Sequence, residues 1–447
     1  ILSVISLVSY VLTKVAVTVY AGGLVFQQVF GIKELWGIDF FWIAAIGLVV
    51  LTALYTIFGG MKSVLYTSVL QTPILLLGSL IILVLGFKEL GGWDEMMRVC
   101  GAVTVNDYGD TMTNLIRSND DANFPWLGAL IGSAIIGFWY WCTDQFIVQR
   151  VLSGKNEMEA RRGTIFGAYL KLLPVFLFLI PGMIAFALHQ KYIGAGGEGF
   201  LPMLENGTAN ADAAFPTLVA KLLPAGVKGL VVCGILAALM SSLASLFNSS
   251  AMLFTIDFYK RFRPQTSEKK LVGIGQVATV VIVILGILWI PIMRSVGDVL
   301  YTYLQDVQSV LAPGIAAAFL LGICWKRTSA QGGMWGLISG MVIGLTRLGA
   351  KVYYSNAGEV ADSTFKYLFY DMNWLFFCGW MFLFCIIVVI VVSLATEAPT
   401  AEKIQGLVFG TATKEQKAST RASWNHWDII HTVIILAITG AFYWYFW

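Results

Sequence analysis

The sequence predicts an all-α integral membrane protein, and three observations predict it. Of 447 residues, 58% are hydrophobic and only 12% are charged, with a mean hydropathy of +0.77. Many apolar runs exceed the roughly 18 residues that a helix needs to cross a hydrocarbon core. Those runs are continuous and lack the alternation over about ten residues that marks a barrel strand. Helices satisfy their own backbone polar groups in lipid, so a helical bundle follows.

About eleven spans are expected at this length per crossing. The first three, 1–30, 38–58 and 66–87, rest on apolar length alone. The fourth, 126–149, begins as a plain apolar run over Leu127–Ile136. It then turns into Gly137-Phe138-Trp139-Tyr140-Trp141-Cys142-Thr143-Asp144-Gln145, with Gln149-Arg150 behind. Polar groups at membrane depth are costly unless they face a bundle interior or a water-filled path. An aromatic wall beside hydrogen-bonding side chains suits a sugar ring, with its apolar faces and hydroxyl edges. An interfacial aromatic belt with a polar cytoplasmic end fits the same string. Asp144 fits two roles, a proton relay or a structural carboxylate near Arg150 and the basic loop.

The fifth span, 163–189, carries Lys171 about two turns in, with Pro174 just after it. Lys171 either snorkels to the interface or donates a hydrogen bond to a solute where the proline loosens the helix. The sixth, 222–258, contains Ala238, Ser241 and Ser242, which share one helix face at i, i+3 and i+4. Such a face offers a backbone carbonyl and two hydroxyl oxygens, a donor set that suits a hard cation. A small-residue packing seam gives the same pattern. The seventh span is 271–296. The eighth, 299–324, presents Gln305 within Tyr301-Thr302-Tyr303-Leu304-Gln305-Asp306, ahead of Pro313-Gly314, which can break or bend a helix. Transporter sites form at such discontinuities, although ordinary polar residues at an external helix start fit Gln305 equally. The spans 332–350, 372–395 and 427–447 complete the set.

Basic residues orient the chain. Arg150, Lys155, Arg161 and Arg162 follow the fourth span, and Lys260, Arg261, Arg263, Lys269 and Lys270 follow the sixth. Lys326 and Arg327 follow the eighth, and Lys403, Lys414, Lys417 and Arg421 precede the last. These loops alternate consistently and are placed in the cytoplasm, which leaves the C-terminus external. The segments 90–123 and 190–216 become external; they carry Asp94, Glu95, Asp107, Asp110, Asp120, Asp121, Glu198, Glu205 and Asp212.

The net charge of +3 reflects this inside bias, and no basic stripe interleaved with exposed aromatics points to nucleic acid. The six cysteines show neither metal spacing nor a disulfide framework; Cys142, Cys233, Cys378 and Cys385 fall in spans and read as structural thiols. Asn206-Gly207-Thr208 matches a glycosylation sequon on an external loop. No phosphate loop, dinucleotide fingerprint, zinc motif or nucleophile elbow stands in a credible context, so no enzyme is expected. The chain opens on Ile1 inside a helix without a signal peptide, and this start is expected to lie within a longer protein.

Taken together, the strings resemble the sodium/glucose cotransporter branch of the sodium:solute symporter family over essentially the whole chain. The signatures are Trp139-Tyr140-Trp141-Cys142-Thr143-Asp144-Gln145 with Gln149-Arg150, Tyr169-Leu170-Lys171-Leu172, and Phe215-Pro216-Thr217-Leu218-Val219. Ala238-Leu239-Met240-Ser241-Ser242-Leu243-Ala244-Ser245, Tyr303-Leu304-Gln305, and Phe319-Leu320-Leu321-Gly322 with Trp325-Lys326-Arg327 follow in order. The resemblance implies a LeuT-type fold of two inverted five-helix repeats with flanking helices, and a single polytopic transporter domain over 1–447. It implies sodium-driven uptake of a hexose such as glucose or galactose, with inositol or another polar solute, or a non-accumulating sugar sensor, as alternatives. The plasma membrane, or the inner membrane of a bacterium, is the implied location. Residues matching Lys171 and Gln305 hydrogen-bond the sugar; the one matching Tyr140 stacks on it as an inner gate beside the one matching Trp141. Those matching Ala238, Ser241 and Ser242 are sodium ligands. The resemblance also implies that Ile1 falls at the third core helix, so that the preceding helices, with two sodium-ligating carbonyls and several sugar contacts, lie outside this sequence. Two departures stand out: Gly137 replaces a polar side chain one turn before the gate tyrosine, and Ser68 replaces an aspartate after Tyr66-Thr67. The second implies one sodium per sugar.

Overall fold

In the computed structural model, residues 1–204, 207–296, 299–357 and 360–446 are described. Glu205 and Asn206, the latter the asparagine of the sequon, lie outside them. Among the described residues, eight helices are long and apolar enough to cross a membrane, or nine when one bent pair is counted as a span. They are Leu2–Phe30, Gln71–Leu90, Glu157–Gly194, Ala225–Phe262, Glu268–Met293, Leu300–Cys324, Trp374–Ala395 and His426–Tyr445. The bent pair is Trp126–Cys142 with Gln145–Leu152.

Two expectations differ. The segments 38–58 and 66–87 are joined in one continuous helix, Phe40–Leu90, in which Phe40–Leu54 and Gln71–Leu90 are the apolar stretches. The stretch between them holds no proline, and glycine weakens a helix without removing its hydrogen bonds. Asp39 caps its start through Phe41 N–H, and Gly91, in the left-handed region at φ 110°, ends it. The helix Ala330–Asn356 covers 332–350 but is not among the eight, because glycines together with Arg347 and Lys351 dilute its apolar content.

The chain divides into two compact units. One comprises Ile1–Thr13, Ile116–Tyr169 and Pro291–Trp447. Its core gathers Ile5, Ile135, Ile136, Trp139, Ala312, Ile315, Ala316, Trp374, Leu375 and Cys378. Leu300–Cys324, Ala330–Asn356 and Trp374–Ala395 pack on one another there. Close approach depends on Gly332, Gly336, Gly340 and Gly344, spaced one turn apart. Added Cβ atoms at these positions would meet Ser393, Val389, Gly314 and Val310 respectively. Gly314 answers from the opposite helix, and Leu300–Cys324 stays helical through Pro313 rather than breaking. Asn373, Ser329 and Asn425 cap the starts of the last three long helices.

The other unit comprises Lys14–Leu115 and Leu170–Ile290. Its core is built from Phe26, Ile82, Leu90, Ile184, Leu188, Leu218, Val231 and their neighbours. Phe40–Leu90 packs along Ala225–Met252, brought close where Gly78 faces Val231 and Gly234 faces Ile74 and Leu75. The acidic helix Trp93–Gly101 sits in the segment assigned outside. On its surface Arg98 pairs with Glu95 and holds that carboxyl below its usual range. All six cysteines are free thiols.

Candidate functional site

The span at 126–149 is broken where the sequence turns polar. Trp126–Cys142 and Gln145–Leu152 meet at 48° across Thr143 and Asp144. Asp144 is buried and caps the second helix, accepting from Phe146 N–H at 3.2 Å. It also accepts the Tyr10 hydroxyl at 2.8 Å, while that hydroxyl accepts Phe146 N–H at 3.1 Å. Asp144 is thus a helix cap held by a buried tyrosine, while Arg150 lies over the Phe146 ring at 5.2 Å. Tyr10 opens a π-helical turn, Tyr10–Val15, in the first span. Such turns divert carbonyls from the helical ladder, and Leu12 O here accepts the Tyr303 hydroxyl at 2.9 Å.

Immediately before the break, Tyr140 and Trp141 stack edge to face with ring centroids 5.2 Å apart. Trp139 is buried in the core, Tyr140 is half-buried beside it and Trp141 is exposed. A Cβ at Gly137 meets nothing within 4 Å, so the space a polar side chain needs at that position is present. Gln305 belongs to the same unit. It is half-buried, and its amide donates to the Tyr301 hydroxyl one turn back at 2.9 Å.

Lys171 and the Ala238, Ser241, Ser242 face belong to the other unit. Lys171 is exposed on a helix that passes through Pro174 into a second π-helical turn, Val175–Leu179. Ser241 is buried, with Ala238 and Ser242 half-buried on the same face. The Ser68 hydroxyl lies 2.6 Å from the Ser241 hydroxyl, so the position where an aspartate was expected abuts a candidate cation ligand. Ser245 donates to the Ser241 carbonyl at 3.0 Å and Ser249 to the Ser245 carbonyl at 2.8 Å. The structure thus groups Tyr140 with Trp141, Gln305 with Tyr301, and the serine face with Ser68.

Residues 1–340 match the model of the sodium:solute symporter family. The chain belongs to that family. It is 36% identical to the Homo sapiens sodium/myo-inositol cotransporter 2 over 422 residues, covering 92% of this chain and 62% of the relative. It is 35% identical to the Bos taurus sodium/mannose cotransporter over 472 residues, covering 100% of this chain and 77% of the relative. With the Ovis aries sodium/glucose cotransporter 1 the identity is 37%, covering 89% of this chain and 61% of the relative. Against several of these relatives the family chain therefore spans about three fifths of their length. A solved Na+-coupled sialic acid symporter in a substrate-bound outward-open state matches with a TM-score of 0.63 at 20% identity, covering 89% of this chain and 75% of that one. That likeness shows the fold, the LeuT-type symporter bundle expected from the sequence.

One charged group in this family member escaped the sequence reading. Asp306, Arg347 and Lys351 form a buried cluster in the first unit. The available signal was their presence in apolar spans, where ionisable residues mark function, with Arg347 and Lys351 at i, i+4. Lys14, buried in the first span, was passed over in the same way.

Proposed function

We propose that this protein is a sodium-coupled secondary active symporter that imports a hexose, glucose or galactose, by alternating access, with one sodium ion per sugar. One observation carries the reading. A rigid aromatic pair, Tyr140 and Trp141, stands directly before a 48° break in a membrane span, and transporter sites form at broken helices. In this reading Tyr140 stacks on the sugar and gates its inner exit, with Trp141 beside it. Lys171 and Gln305 hydrogen-bond its hydroxyls. Ala238 contributes its carbonyl, and Ser241 and Ser242 their hydroxyls, to the sodium ion. Ser68 in place of a carboxylate supports a single ion.

Residues 1–447 act as one transporter domain in a plasma membrane, or the inner membrane of a bacterium, with the C-terminus outside. Sodium favours the outward-open state and orders the sugar site; both ligands are then occluded and the inner gate opens. Sodium and sugar strengthen each other's binding by the same free energy. A tenfold sodium gradient supplies about 1.4 kcal/mol, and 100 mV adds about 2.3 kcal/mol per charge. Together these sustain roughly 500-fold accumulation at one ion per sugar.

A second cargo reading, myo-inositol or mannose, is supported by the relatives' names and by the open space at Gly137. The test is uptake of labelled glucose, galactose, mannose and myo-inositol into proteoliposomes carrying the full-length protein, with an inward sodium gradient against a potassium or proton gradient. Accumulation only with sodium is expected, and competition then ranks the cargoes. Sodium current without accumulation of any of them refutes coupled uptake and leaves a sensor. Lys171→Ala is expected to abolish uptake, and Ser242→Ala to weaken apparent sodium affinity.

A further inference from the structure

Among the described residues, one buried charged cluster takes no part in the proposed transport site. Asp306 is 7% exposed and Arg347 is wholly buried. Lys351 Nζ donates to Asp306 Oδ2, and Arg347 Nη2 lies 3.8 Å from Asp306 Oδ1. Arg347 also donates to the Met372 carbonyl at 2.6 Å and the Leu368 carbonyl at 3.2 Å, with its guanidinium 4.1 Å from the Phe377 ring. One side chain therefore ties the turn Tyr367–Asp371 and the start of Trp374–Ala395 to the carboxylate of Leu300–Cys324. Lys351, one turn beyond Arg347 on the same helix face, grips the same carboxylate.

Stability alone is a poor explanation for such a group. Desolvating three charges costs about as much as their attraction returns, and apolar side chains of similar volume often serve as well. Two cations against one anion leave a net positive charge, which makes the cluster more costly still. The attested use of buried ionic groups is to fix register. The helix fixed here is the one that carries Gln305, one residue before Asp306. Neighbouring residues on a helix point about 100° apart, so while Asp306 faces Arg347 and Lys351 of Ala330–Asn356, Gln305 points roughly a quarter turn to the side. A rotation of only about 10° swings a group ~6 Å from the helix axis by ~1 Å. That is enough to turn a good hydrogen bond into none.

We infer that Asp306 is a positioning residue for the transported solute: held by Arg347 and Lys351, it sets the rotation of its helix and so aims the Gln305 amide at a hydroxyl of the cargo. Gln305 is steadied from its own helix by the Tyr301 hydroxyl, and from the neighbouring elements through Asp306. This inference rests on the reading of Gln305 as a solute contact.

The experiment measures KM and maximal rate for sodium-driven uptake by the full-length protein in proteoliposomes, normalised to folded transporter. The variants are Gln305→Ala, Asp306→Asn, Asp306→Glu, the pair Asp306→Asn with Lys351→Met, and the pair Gln305→Ala with Asp306→Asn. The paired Lys351→Met change removes the unbalanced cation in case Asp306→Asn alone fails to fold. Asp306→Asn, alone or with Lys351→Met, is expected to raise the solute KM about tenfold, the worth of one lost hydrogen bond, with sodium dependence unchanged. Asp306→Glu is expected to recover most of the affinity, and Asp306→Asn is expected to add little in the Gln305→Ala background, because both changes remove the same contact. A wild-type KM in both Asp306→Asn proteins, with Gln305→Ala impaired, overturns the inference and leaves the cluster structural. A wild-type KM in Gln305→Ala overturns the reading beneath it.

Discussion

The packing of Ala330–Asn356 makes a sharp quantitative prediction at Gly340. A Cβ at this position would stand 2.9 Å from the Cα of Gly314 and 3.3 Å from the Cys385 sulfur. The first distance is about 0.5 Å short of ordinary van der Waals contact, and the obstacle is backbone, so no rotamer relieves it. Gly340→Ala must therefore push two helices apart, and a row of contacts on either side loosens with them. Overpacking of this kind costs about 1–3 kcal/mol. The natural control is Gly137→Ala, where the new methyl meets nothing within 4 Å. Replacing a helical glycine by alanine there is neutral or stabilising by up to about 1 kcal/mol. Thermal unfolding of both variants in detergent, followed by near-ultraviolet circular dichroism, should lower the midpoint for Gly340→Ala by a few degrees and leave Gly137→Ala at or above wild type. An unchanged or higher midpoint for Gly340→Ala would mean that the helices do not cross as closely as described, and would refute the argument for the whole glycine stripe.

Tyr10→Phe removes the hydroxyl that both donates to Asp144 and accepts Phe146 N–H, leaving a buried carboxylate short of a donor; a loss of about 1.5–3 kcal/mol is expected, read as a lower denaturation midpoint, and wild-type stability would show that the bridge contributes nothing. Ser68→Asp sets a carboxylate against Ser241; simultaneous sodium and sugar flux measurements are expected to show a higher apparent sodium affinity and a sodium-to-sugar ratio moving from one toward two. Both quantities unchanged would separate Ser68 from the cation site.

Apolar length made most of the spans legible, because crossing a membrane imposes a minimum run that few other structures need. It did not locate the join between 38–58 and 66–87, since the intervening run is less apolar yet holds no proline that would end a helix. The aromatic string before Thr143 was legible as a place where something other than packing was required. Its 48° break was not, because it depends on Asp144 as a helix cap and on Tyr10, 134 residues away, as its partner. Residue type picked out the oxygen-rich face at Ala238, Ser241 and Ser242. The Ser68–Ser241 contact and the Asp306 cluster arise from tertiary pairing, which no spacing within one helix encodes. Pro313 shows the opposite failure: a residue that often bends helices sits inside an unbroken one.

The serine column on Ala225–Phe262 has a consequence for what can rest against it. Ser245 and Ser249 each commit their only proton to a carbonyl one turn earlier. A hydroxyl that has given its proton away offers only lone pairs to anything else. At Ser245 and Ser249, both fully buried, any further polar neighbour therefore meets lone pairs and must itself be a donor.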